Sequence, residues 1–388
     1  MGFIDLLKKK DPRVSVQTAR PAPHFSPMLD FSPLGGPECA LYDQLRRSVP
    51  IIDSAILKIM RLTGSFEVRC GDPAAQAALD RFAAGVRVGA SQQGLTAFAM
   101  SYLDSLLTYG NAVGEVVLSR DRRRVAALYN APLEHLDIRQ GSSFIEAEVC
   151  VRGSGGQASP VPYPQLVLFS ALNPAPGQAL GRSLLQGLPF VASVLLKIYS
   201  AMSQNFERMG NLRYAVTYRP GGGGTDRAYA KEIAQSIAKE WSEAMSAAKN
   251  GQIRDFVAVG DVDIRVIGAD SQMLDTNVPV RQMLEEIVAK LGLPPFMLGL
   301  SWSTTERMSR QQADILTSEL ESYRGILTPV LTKICTLFLR LEGFGCTPEI
   351  AWSNISLLDE TELANARLTN ARAAQIEGQH LPKEGGNP

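Results

Sequence analysis

Histidine is nearly absent from this chain of 388 residues, which holds only His24, His135 and His380. A Ser-His-Asp or Cys-His relay would therefore have to rest on His135 alone, because His24 lies in a Pro-rich segment and His380 in the tail. Cysteine is sparse as well. Cys39, Cys70, Cys150, Cys335 and Cys346 form no CxxC and have no His at ligand spacing, which argues against a zinc site. An odd, scattered set reads as reduced intracellular thiols and not as a disulfide frame. Neither sign of charge dominates, with 39 Lys and Arg against 39 Asp and Glu, so no global basic field marks a protein that grips nucleic acid. Long apolar runs are missing too. The most apolar one, Ser183 to Leu196, has about two-thirds of the roughly 20 residues a membrane span needs, and it contains Gly187 and Pro189. It reads as a buried helix. Met1-Gly2 invites N-myristoylation, but that signal wants Ser or Thr at position 6, where Leu6 stands.

The length allows a large core in two or three domains, or in one elaborated domain. Residues 2–10 form a short amphipathic helix with a Lys8-Lys9-Lys10 end, and Asp11 to Pro37, rich in Pro and Gly, reads as an extended arm. A helix over Tyr42 to Ile59 is interrupted near Pro50. A strand over Phe66 to Cys70 follows, then a helix from Pro73 to Phe82 opened by Asp72, and a helix from Gln93 to Tyr109 stopped by Gly110-Asn111. Strands are expected at Ala112 to Ser119, Val125 to Tyr129, Phe144 to Arg152 and Leu166 to Phe169. The turn Asp121-Arg122-Arg123-Arg124 reads as a solvated hairpin, because alternate side chains in a turn point apart.

Pro189 to Met209 is predicted as a long helix, Leu212 to Tyr218 as a strand, and Asp226 to Lys249 as a charged helix. Phe256 to Val259 and Asp263 to Val266 are short strands that close the insert. The loop Gly221-Gly222-Gly223-Gly224-Thr225 lacks the Lys of a Walker loop, and Asp226 occupies the first turn where phosphate would sit. It is a linker, and no cofactor or metal is expected. Glu285 and Glu286, adjacent on a helix, face about 100° apart, poor geometry for an acid/base pair. Thr305 onward is a long helix that Pro329 interrupts or kinks. Phe344 to Ser353 returns as a strand expected to complete the sheet begun near Ala112. Asp359 to Glu377 is a final helix before a tail disordered by composition.

The stretch Asn277 to Thr305 organises the rest. From Val280 the apolar residues fall at Val280, Met283, Leu284, Ile287, Val288 and Leu291, one stripe of a helix. Glu286 and Lys290 stand four apart in the favourable order, and Gly292 with Pro294-Pro295 stops the helix. An apolar knuckle from Phe296 to Leu300 leads into a small polar loop. Ser303-Thr304-Thr305-Glu306 is a capping box for the next helix.

The run IVAKLGLPPFMLGL with the following STTERMSRQQADILTSELESYRGILTPVL resembles the portal proteins of tailed bacteriophages. So do MGFIDLLKK, VPIIDSAILKIMRLTGSFEV, LLTYGNAVGEVVL and LGRSLLQGLPFVASVLLKIYSAMSQNFERMGN, in the same order across nearly the whole chain. The resemblance implies an α+β, mostly helical protomer. An N-terminal helix and arm would occupy 1–40 and a wing 41–182. One stem helix (183–210), a clip (211–275) and a second stem helix (276–293) would follow. A tunnel loop, long helix and returning strand (294–355) and a C-terminal crown (356–388) would complete the chain.

Such a chain is non-enzymatic. It forms a ring, usually of twelve, at one vertex of a phage or prophage capsid, assembled in the host bacterial cytoplasm. Double-stranded DNA passes through without sequence reading during packaging and ejection. The partners would be other copies of the chain, the major capsid protein, the terminase large subunit and head-completion or adaptor proteins. The resemblance assigns the tunnel loop to Gly299, Leu300, Ser301, Trp302, Ser303, Thr304 and Thr305, all uncharged, and leaves Arg281, Glu285 and Lys290 as stem-helix residues that could face the channel. Trp302 could instead pack on Pro294 or Pro295. Two other classes stay open on the residues alone: an intracellular α/β enzyme with a dispersed active site, and a ring-forming capsid or tail adaptor that passes no DNA.

Overall fold

A computed structural model describes residues 36–141, 143, 146–153, 157–210, 213–219, 224–249, 261–267, 275–300 and 306–355. The readings made for residues 2–10, Phe256 to Val259, Ser303 to Thr305 and Asp359 to Glu377 lie outside these. The described residues fall into two units, one within Met1–Ser193 and Val288–Pro388, the other within Val194–Ile287.

In the first unit Pro50 does what its ring allows. It sits in the first turn of a helix, where the missing N–H would have had no partner, and so separates α1 (Gly36–Ser48) from α2 (Pro50–Thr63). α1 starts inside the segment expected to be extended arm. Its buried residues Cys39, Tyr42 and Leu45, three apart on one face, explain why. After β1 (Phe66–Arg69), Asp72 caps α3 (Pro73–Gly85) by accepting from the Ala74 N–H at 2.8 Å, as its position predicted. Two short strands, β2 (Arg87–Val88) and β3 (Gln92–Gln93), then lead to α4 (Leu95–Tyr109). Phe98, Tyr102, Leu103, Leu106 and Leu107 of α4 are all essentially inaccessible. Gly110 ends it in the left-handed conformation, and a Cβ there would lie 2.4 Å from the Arg182 backbone, so only glycine fits.

β4 (Asn111–Leu118) and β5 (Val125–Asn130) form the hairpin expected around the arginine turn, where Arg122 lies 5.5 Å from the Tyr163 ring centre. β6 (Leu136–Gln140), β7 (Ala147–Arg152) and β8 (Ala158–Pro160) make a separate antiparallel sheet, and β9 (Val167–Ala171) follows. The main sheet has the order β3-β2-β5-β4-β9, antiparallel except between β2 and β5.

α5 (Leu188–Gly210) leads into the second unit, where β10 (Arg213–Arg219) pairs antiparallel with β11 (Asp261–Ile267) and α6 (Gly224–Lys249) lies between them in sequence. This is the small α+β module expected between two helices. Among the described residues no helix is long and apolar enough to cross a membrane. α7 (Asn277–Leu291) leads back to the first unit and α8 (Glu306–Leu341) follows, 36 residues long. Pro329 does not interrupt α8. The buried stripe Leu316, Leu320, Tyr323, Leu327, Leu331 and Ile334 runs through it, and packing along that stripe outweighs one lost backbone hydrogen bond.

β12 (Glu349–Trp352) corrects a second expectation. It pairs with β1, Phe66 opposite Trp352, and not with the sheet containing β4, both of whose edges are taken by β5 and β9. The Phe66 and Trp352 rings lie 5.1 Å apart. The same pairing brings Cys70 and Cys346 together as a disulfide with 6.7 Å between Cα atoms. Thiols 276 residues apart in sequence are thus neighbours in space, a pairing that the reading of five scattered thiols did not include, while Cys39, Cys150 and Cys335 remain free.

Arg324 of α8 is buried at 3% exposure and ties these pieces together. Its Nε donates to the Thr63 carbonyl at the end of α2 (2.8 Å), its Nη1 to Glu321 (2.9 Å), and its guanidinium lies 5.1 Å from the Trp352 ring centre. Trp352 in turn donates to Thr328 Oγ1 at 2.9 Å. We expect Arg324→Ala to lower stability by about 2–4 kcal/mol, since it strips a buried helix-end carbonyl of its donor and opens a cavity under Trp352. Arg324→Lys should recover less than half of that, because an ammonium cannot reach the carbonyl and cover the ring together. Urea unfolding followed by tryptophan fluorescence measures both.

Candidate functional site

Helix α7 carries the three stem residues named from the sequence. Arg281 and Glu285 form an ion pair at 2.8 Å across one turn, both about half exposed, which makes it a weak surface pair of a few tenths of a kcal/mol. Lys290 is exposed in the last turn, where a cation suits the negative end of the helix dipole. Ile287 and Leu291, inaccessible to solvent, and Val288 anchor the end of the helix.

The chain then turns sharply. Gly292 takes φ +68°, and a Cβ built on it would lie 2.6 Å from Glu319 Oε2 of α8. Leu293 is buried at 3%, and Pro294 precedes a single 3₁₀ turn, Pro295–Leu298. Gly299 closes that turn with φ 77°, and the Leu300 N–H donates back to the Pro295 carbonyl at 3.1 Å. Phe296 remains 49% exposed on the turn. Gly299 and Leu300 are therefore held at the end of a rigid knuckle. Ser301, Trp302, Ser303, Thr304 and Thr305 lie outside the described residues, and α8 begins directly after them at Glu306.

In the second unit, α5 and α7 face each other across a mostly apolar cavity of about 410 Å³ lined by Tyr199, Met202, Phe206, Asn277 and Val280. The other cavity of note, about 680 Å³, opens between α1, α2 and α4. Arg46 organises it, donating to Asp53 (2.8 Å), Asp104 (2.7 Å) and Thr108 (2.7 Å), while Asp43 accepts from the Tyr109 hydroxyl at 2.6 Å. Sequence reasoning missed this network and Arg324. The available signal was a charged residue on an apolar helix stripe. His135, on which a catalytic relay would depend, is 71% exposed beside Glu134 at 3.5 Å. Among the described residues no group of acidic, Cys or His side chains is arranged to hold a metal.

No protein-family model matches the sequence, and no curated protein matches it. Solved structures do. A chain from the neck of a native gene transfer agent particle, computed with C12 symmetry, matches with a TM-score of 0.58 and 16% identity over 86% of this chain and 89% of that one. A chain from the neck of the empty particle, computed with C6 symmetry, matches with a TM-score of 0.60 and 16% identity over 88% and 91%. This chain has the fold of those neck chains. A crystal structure of an HK97 family phage portal protein from Corynebacterium diphtheriae also matches, at 12% identity over 82% of this chain and 94% of that one. Its TM-score of 0.42 is too low to argue from. The neck-chain fold runs through both units and both halves of the discontinuous one.

Burial raises the Glu319 carboxyl above its ordinary value of 4.5. The folded state therefore binds this proton more tightly than the unfolded state. The resulting stability is fully present below pH 4.5 and is lost as pH rises through the folded value. The carboxyl lies beside the Gly292 stop, at the negative end of α7, where a negative charge is further disfavoured. We expect Glu319→Gln to raise the unfolding temperature near pH 7 and leave it unchanged near pH 4. Calorimetry at the two pH values checks this, and a loss of stability near pH 7 would instead give the carboxylate a favourable partner.

Proposed function

We propose that this chain is one protomer of a ring at the portal vertex of a phage or phage-like particle, the channel through which double-stranded DNA is packaged and ejected. The observation that carries the reading is the fold match over most of both chains to neck chains reconstructed with twelve- and sixfold symmetry. The ordered sequence resemblance to portal proteins supports it independently. On this reading residues 41–182 and 294–355 make the wing, α5 and α7 are the stem, residues 211–275 with the β10–α6–β11 module are the clip, and residues 356–388 form the crown. The clip receives the terminase large subunit during packaging and head-completion proteins afterwards, while the major capsid protein surrounds the wing. The particle is the site of action, and assembly takes place in the host cytoplasm.

The uncharged loop Gly299 to Thr305 is the narrowest part of the bore. Its neutrality has a physical sense. Fixed Lys or Arg side chains would exchange counterions with each passing phosphate, and several such contacts hold DNA in a strongly salt-dependent way. A neutral loop on a rigid knuckle lets a duplex slide past. The stem helix is balanced in the same way, Arg281 being neutralised by Glu285.

Native mass spectrometry with negative-stain imaging should show a closed ring with a central hole. A protein that stays monomeric at high concentration, with and without other particle proteins, would overturn the reading. In a particle-producing system, Ser303→Lys should leave ring assembly intact and cut the yield of DNA-filled particles at least about tenfold at low salt, less at high salt. An unchanged yield would remove the loop from the bore.

A further inference from the structure

Of the five cysteines, three are sealed. Cys335 is inaccessible, Cys150 is 1% exposed and Cys39 6% exposed. Burial pushes the Cys335 thiol up to about 12 and the Cys39 thiol up to about 11, so neither offers much thiolate at neutral pH. Cys70 and Cys346 differ. Both are only half-buried, each flanks a strand, and the β1–β12 register sets their Cα atoms 6.7 Å apart, within bonding reach. They are the only cysteines of the folded chain open to a solvent oxidant or reductant.

Other contacts join the same surroundings. Ser353 N–H donates to the Ser65 carbonyl at 2.9 Å, the Phe66 and Trp352 rings meet, Phe82 stacks on Phe338 at 4.1 Å, and Arg324 sits beneath Trp352. The sheet they flank, however, is only two strands of four residues each, a pairing that is marginal by itself. A covalent link at its end ties the exit of α8 to the α2–α3 connection and so closes a discontinuous unit.

We propose that Cys70 and Cys346 form a reversible redox latch: a dithiol while the chain folds in a reducing compartment, and a disulfide once the folded protein meets oxidising conditions. Chemically, one thiol loses its proton and its thiolate attacks a small disulfide such as oxidised glutathione, releasing one reduced thiol. The thiolate of the second cysteine then displaces the remaining glutathione. Two protein thiols become one disulfide, and the small disulfide takes up both electrons and both protons as two thiols. The latch depends only on the geometry of the first unit and stands whether or not the chain forms a ring.

The test uses the full-length protein prepared in dithiothreitol and, in parallel, equilibrated with oxidised glutathione. Labelling with a mass-tagging maleimide under native conditions should modify two cysteines in the reduced protein and none in the oxidised one, and all five after denaturation with reductant. Oxidation should raise the unfolding temperature by roughly 5–10 °C. Cys70→Ser and Cys346→Ser should each fold with the unfolding temperature of the reduced protein and show no shift on oxidation. The latch is refuted if the native oxidised protein still labels at Cys70 or Cys346, if the native reduced protein does not label at all, or if the two redox states of the wild type unfold at the same temperature.

Discussion

A single buried guanidinium carries much of the burden of closing this molecule. The larger unit is made from two separated stretches of chain, and what joins them is the seating of α8 against α2, α3 and α4. Arg324 occupies the middle of that seam. Burying an arginine is costly unless its donors are used and its charge is met. Here the charge faces the carbonyl end of α2, where the helix dipole is negative, and the face of Trp352. The nearby acid, Glu321, is 56% exposed and adds little. One terminal nitrogen, Nη2, is buried without a hydrogen-bond partner. The seam is therefore bound by geometry more than by charge pairing, and the stacked Phe82 and Phe338 rings reinforce it.

That seam matters for function because the chain leaves the first unit through α5 and re-enters through α7. An inserted module is tolerable only if its host closes firmly without it. The re-entry is equally controlled. Gly292 supplies a conformation that side chains avoid, Leu293 locks into the core, and Pro294-Pro295 set the 3₁₀ turn that ends at Gly299. Gly299 and Leu300 are thereby positioned by the body of the first unit. On the proposed reading, that restraint suits the approach to a channel constriction.

Much of the local architecture was legible in the sequence. Pro50, Asp72 and Gly110 each act through their own backbone or side-chain chemistry within a few residues, so they mark boundaries without knowledge of the fold. The partner of β12 was not legible. Which strand receives a four-residue edge is decided by where α8 ends and by which edges β5 and β9 have taken. The Cys70–Cys346 link follows from that pairing and was invisible for the same reason. The two-residue strands β2 and β3 are too short to show any alternation. At Pro329 the sequence left interruption and kink both open, and the packing on both sides of it keeps the helix continuous. For the candidate site, the helix, its glycine stop and the double-proline knuckle were readable. Arg324 was hidden although it stands on the buried stripe between Leu320 and Leu327, where a charge ought to draw notice.

The most direct test of the account is a cryo-electron microscopy reconstruction of the purified, assembled protein. The account predicts a closed cyclic ring in which residues 299–305 of every copy line the narrowest part of an axial bore, with the β10–β11 module grouped at one end. A closed ring with that stretch buried between copies or turned to the outer surface would contradict it, as would an open or non-cyclic assembly.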